Sequence, residues 1–76
     1  MGKLPVMSGT EVVRRLEHAG FIIARRVGSH IILRRDTPPK LTLTVPDHKQ
    51  LKKGTLRAIL RQAGISLEEF ESLQSS

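Results

Sequence analysis

The sequence predicts an α+β domain in the order α-β-β-β-α, extended by a short third helix, with the helices on one face of a meandering sheet. Three observations predict it. Apolar residues recur at helical spacing in two stretches bounded by cap residues. Between those stretches lie three short runs suited to strands, each about six residues long. The runs are separated by a Gly-Ser pair and then by two consecutive prolines, which end strands rather than continue them.

Ser8-Gly9-Thr10-Glu11 reads as a capping box, in which a serine hydroxyl and a glutamate three residues later satisfy each other's backbone N–H groups. Val12, Val13, Leu16 and Ala19 follow as an apolar helical face, and Gly20 supplies the stop. Phe21–Val27 and His30–Arg35 are the arms of a hairpin, because Gly28 can take the positive φ of a two-residue turn. Asp36-Thr37-Pro38-Pro39 is a loop, and Leu41, Leu43 and Val45 alternate with threonines in a third strand ended by Pro46. Leu56, Ile59, Leu60 and Ala63 form the stripe of a second helix, closed by Gly64 with Ile65 as a hydrophobic clamp. Ser66-Leu67-Glu68-Glu69 is a second capping box, opening a helix that turns Leu67, Phe70 and Leu73 inward.

A two-residue turn at Gly28-Ser29 sets Val27 opposite His30, Arg25 opposite Ile32 and Ile23 opposite Arg34. The expected core face then carries Ile22, Ala24, Ile31 and Leu33, and the other face carries Arg25, His30 and Arg34. One domain accounts for all 76 residues, with no repeat or linker.

Charge points to the partners. The net charge is +6, and residues 1–65 hold all 13 basic residues against Glu11, Glu17, Asp36 and Asp47, a local balance of +9. Such a body attracts polyanions, nucleic acid first and an anionic membrane second. No apolar stretch approaches the roughly 20 residues of a membrane span, so the chain is not expected to cross a membrane; with nucleic acid ranked first, no membrane partner is expected. Met1-Gly2 is not a myristoylation start, since Val6 occupies the position that requires Ser or Thr. With no cysteine and no secretory signal, the reading is a cytoplasmic protein.

Lys49, Lys52 and Lys53 precede or open the second helix, where free N–H groups also favour phosphate, and Arg57 and Arg61 continue the positive stripe. Phe21 and Phe70 are the only aromatic residues, and both belong to apolar stripes, so base-stacking platforms are disfavoured. Ala63-Gly64-Ile65-Ser66 has the look of a helix-turn-helix turn. The helix that would enter DNA carries Glu68, Glu69 and Glu71, however, so no DNA contact of its own is expected. His18, His30 and His48 are 12 and 18 residues apart, match no metal-ligand spacing and have no cysteine beside them; no metal is expected. His30 stands at the lip of the hairpin, and histidine is the side chain whose ordinary pKa lies nearest neutrality.

Gly20-Phe21, Gly28-Ser29-His30, Val45-Pro46-Asp47-His48 and the run Lys53-Gly54-Thr55-Leu56-Arg57 through Ile65 resemble, in order and spacing, the HicA-type (YcfA-like) mRNA interferase toxins. The resemblance runs from about Ser8 to Ile65. It divides the single domain 1–76 into a core, 8–65, and an acidic C-terminal helix, 66–76. It implies a double-stranded-RNA-binding-like fold, endoribonuclease cleavage of mRNA, and neutralisation by an acidic HicB-type antitoxin covering the active surface. The family's catalytic histidine falls on His30, and a recurrent histidine of the pattern falls on His48. Ile31 departs from the polar residue or histidine that often follows Gly-Ser-His.

RNA supplies its own nucleophile in the 2′-OH, so such cleavage needs a proton-transfer group but neither metal nor cofactor. His30 is the expected general acid or base. Arg25, Arg34, Lys49, Lys52, Lys53 and Arg57 are the expected phosphate contacts, and His48 or Ser29 the candidates for a second role. A non-catalytic RNA-binding module and a toxin retained only for partner binding remain open alternatives.

Overall fold

The computed structural model describes residue 4 and residues 6–73; Met1, Gly2 and the last three residues of the expected C-terminal segment lie outside the described residues. The chain forms α1 (Gly9–His18), β1 (Ile22–Val27), β2 (His30–Arg35), β3 (Leu41–Pro46), α2 (Lys53–Ala63) and α3 (Leu67–Ser72). The three strands make one antiparallel sheet in sequence order. This is the expected α+β order, with the helices packed on the sheet face that carries Ile31, Leu33, Leu43 and Val45. No helix among the described residues is long and apolar enough to cross a membrane.

Local chemistry sets most boundaries. In α1 the Glu11 N–H donates to Ser8 Oγ at 3.1 Å and the Ser8 N–H donates to Glu11 Oε1 at 3.0 Å, completing the capping box. α2 ends in a Schellman arrangement: Gly64 is left-handed at φ 71°, its N–H bonds Arg61 O, and the Ile65 N–H bonds Leu60 O. α3 opens on the Ser66–Glu69 capping box and buries Phe70 completely. Arg15 secures α3 to α1, with Nη1 donating to Phe70 O at 3.2 Å and the guanidinium 5.0 Å from the ring centre.

Gly28 has φ 58° and no other residue of the hairpin turn has positive φ, the pattern of a type II′ turn. Val27 therefore pairs with His30, and Arg25 with Ile32, as expected. Further along, the register shifts between Ile23 and Arg25, so that Ile23 faces Leu33 and Ile22 faces Arg34. The expected Ile23–Arg34 pair and the core positions of Ile22 and Ala24 are thereby corrected. A bulge leaves Ala24 unpaired and moves Ile22 to the open face. β1 tolerates it because β1 is an edge strand, exposed along its whole length.

Candidate functional site

Because side chains alternate along a strand and paired residues share a face, the pairing defines the surface opposite the helices. It is a three-by-three array. Its rows are Ile22–Arg34–Thr42, Arg25–Ile32–Thr44 and Val27–His30–Pro46. At ordinary sheet spacings the array measures about 10 Å across the strands and about 13 Å along them. Arg25, His30 and Arg34 thus do share one exposed face.

His30 occupies a corner of the array, and several contacts fix the backbone around it. The Asp47 N–H donates to Ser29 O at 2.7 Å, tying the hairpin turn to the segment after β3. The Gly9 N–H donates to His48 O at 2.9 Å, and the Leu51 N–H donates to Met7 O at 2.8 Å, with the Leu51 side chain buried. The segment bearing His48 and Lys49 is therefore held at the His30 end of the sheet while those two side chains stay exposed. Gly9 is required there by close approach, since a Cβ at that position would lie 2.0 Å from Pro46 O.

The side chain of Asp47 joins these elements again. Thr10 Oγ1 donates to Oδ1 and Arg26 Nη1 donates to Oδ2, both at 3.4 Å. Both partners of the ion pair are about half exposed, so it contributes at most about 1 kcal/mol. Neither Asp47 nor Arg26 was singled out from the sequence. The only signal was the place of Asp47 inside Val45-Pro46-Asp47-His48, because its partners lie 37 and 21 residues away.

The other predicted residues divide by position. Arg34 lies at the far end of the array from His30 and pairs with Asp36, Nε to Oδ1 at 2.9 Å. Lys52 and Lys53 stand at the start of α2. That helix has no side-chain cap and no acidic residue in its first turn, so its leading N–H groups are left to external acceptors. Arg57 is exposed on α2, within the helix layer rather than on the open sheet face. With Arg61 it borders a groove floored by Leu60, Ile65 and Leu67. The structure thus gathers Ser29, His30, His48 and Lys49 at one end and sets Arg57 apart from the sheet array.

Two of the remaining arginines serve the fold. Arg15 holds Phe70, and Arg35 lies 5.3 Å from the Phe21 ring centre while Nε and Nη2 both donate to Pro39 O. Among the described residues, no three His, Asp or Glu side chains gather in a way that could hold a metal ion. His30 sits on open surface, a shape that admits a passing polymer and does not enclose a small molecule.

No curated protein matches the chain. Residues 9–65 match the family described as "HicA toxin of bacterial toxin-antitoxin", a span running from the first residue of α1 to the clamp after α2. That match covers well over half of the 76 residues, and the chain belongs to the HicA family of toxins.

Proposed function

We propose that this toxin is a metal-independent endoribonuclease of mRNA, with His30 transferring the proton, and that a HicB-type antitoxin silences it by covering the same face. The observation that carries the reading is the seat of His30: the first residue of β2, exposed, backed by a braced turn and with Arg25 diagonal to it on the same face. A histidine so seated can remove the proton of a ribose 2′-OH, and the resulting oxygen attacks the adjacent phosphorus. The bond to the 5′-oxygen breaks, that oxygen takes up a proton, and a 2′,3′-cyclic phosphate remains. General acid–base help of this kind contributes roughly 10²–10⁴ in rate.

Arg25, diagonal to His30 on the open face, and Lys49, on the segment held at the His30 end of the sheet, are the candidates for holding the reacting phosphate and stabilising its developing charge. Arg34, Lys52, Lys53 and Arg57 would contact phosphates further along the strand. His48 is the candidate for the second proton transfer, since its backbone is held beside the His30 end of the sheet. Ser29 serves the turn through its backbone carbonyl. One observation favours a binding module without catalysis: among the described residues no hydrogen bond orients the ring of His30 or His48.

Incubating the purified protein with single-stranded RNA in excess EDTA separates the two. The ribonuclease reading expects undiminished cleavage and 2′,3′-cyclic phosphate ends. Binding without cleavage, or cleavage restored only by added divalent ions, contradicts it.

A further inference from the structure

The open face is more apolar than contact with phosphate requires. The Ala24 bulge brings Ile22 onto it, 45% exposed, and the turn brings Val27, 52% exposed, while the half-buried Ile32 joins them diagonally across the array. These are two of the four large hydrophobic residues exposed among the described residues. Aliphatic side chains offer no face on which a base can stack, and both phenylalanines are buried. An aliphatic patch on the β1 side of the face, with the cation Arg25 set between Ile22 and Val27, instead has the composition of a protein-binding surface.

We infer that the stripe Ile22–Ile32–Val27 is an anchoring site for the antitoxin: an acidic polypeptide that seats apolar side chains on the stripe and carboxylates beside Arg25. Charge complementarity selects that occupant, because residues 1–65 carry +9 and a toxin of this family is paired with an antitoxin. The inference rests on the reading that RNA and antitoxin compete for one face. It goes further in separating their contacts: the cations serve both ligands, and the stripe serves the protein alone. The toxin would then distinguish its inhibitor from its substrate by aliphatic side chains placed on either side of a shared cation.

The test uses the full chain and an Ile22→Thr/Val27→Thr variant, which keeps β-branching at two exposed strand positions. A purified HicB-type antitoxin that binds the parent toxin is titrated calorimetrically at low and high salt. A short 2′-O-methyl RNA, which offers no 2′-OH to attack, is titrated in parallel. The expected result is a loss of antitoxin affinity of about tenfold or more, or at least about 1.4 kcal/mol, similar at both salt concentrations, with RNA affinity within about twofold of the parent. A salt-independent difference identifies an apolar contact, whereas Arg25→Gln should weaken both ligands and mainly at low salt. Thermal melts establish that each variant is folded; should the double variant unfold, Val27→Thr alone is used, with a smaller loss in the same direction. Unchanged antitoxin affinity overturns the inference, as does an equal loss for RNA, which would make the stripe part of the nucleic-acid surface. A parent that binds antitoxin through the stripe yet cuts no RNA rejects the ribonuclease reading and leaves this one standing.

Discussion

The two faces of the sheet are made by the same strands and obey opposite rules. On the helix side, Ile31, Leu33, Leu43 and Val45 are at most 3% exposed. On the other side, His30, Arg34, Thr42 and Thr44 alternate with them and are exposed. One residue's step along β2 or β3 thus crosses from the part of the molecule that stabilises it to the part free to meet a ligand. In a domain of 76 residues there is no room for a second core, so the open face depends on the buried one for its shape. Substitutions on the two faces should therefore separate cleanly into changes of stability and changes of binding.

The largest effect belongs to the buried face. Leu33→Ala should destabilise the fold by about 2–5 kcal/mol. That is a large share of the roughly 5–15 kcal/mol available to a small domain. Thr44→Ala, on the open face of the adjacent strand, should stay within about 0.5 kcal/mol. Urea unfolding of the two variants checks the contrast, and equal losses would break it.

A smaller effect, visible only in binding, belongs to the cations after β3. Replacing Lys49, Lys52 and Lys53 together by Gln should leave the melting curve near that of the parent. It should make RNA affinity less dependent on salt, the log–log slope flattening by about 0.7 for each phosphate that a lysine no longer neutralises. Identical slopes for parent and variant would remove this cluster from the interface.

The smallest effect lies in the α1 cap. Hydrogen bonds from the backbone and then the hydroxyl of Ser8, with the cations Arg15 and Arg14 nearby, hold the Glu11 carboxyl below its ordinary value of 4.5. A folded value lower than the unfolded one contributes stability above about pH 4.5, and that contribution is lost as pH falls through the folded value. Glu11→Gln should accordingly be slightly less stable than the parent near neutrality and converge with it in acid. Ser8→Ala should cost about 1 kcal/mol at pH 7. A gap between parent and Glu11→Gln that widens on acidification would contradict the sign.

Features set by neighbours in sequence were legible in the chain; features set by tertiary approach were not. Both capping boxes, the Gly64 closure and the turn at Gly28 follow from local backbone chemistry, and they carry the order of elements with them. The bulge at Ala24 had no such signal, since Ile22-Ile23-Ala24-Arg25 contains neither Gly nor Pro, and alternation alone assigned Ile22 to the wrong face. The cationic face of Arg25, His30 and Arg34 was legible because two of its members lie on β2, whose register the turn fixes, and Arg25 lies between the turn and the bulge. The bracing of that face by Asp47 and Gly9 was not, because each acts on a partner distant in the chain.

The central claim is that the open face cuts RNA through His30, and comparing parent with His30→Ala tests it most directly. His30 is exposed and contributes little to the core, so circular dichroism and melting temperature should match the parent. RNA affinity should remain within about twofold, because the proposed phosphate contacts are spread over several cations. Cleavage in EDTA should fall by about 10²–10⁴, the contribution of a lost proton-transfer group. A folded His30→Ala protein that binds RNA as the parent does and cuts it at the parent's rate would contradict the account.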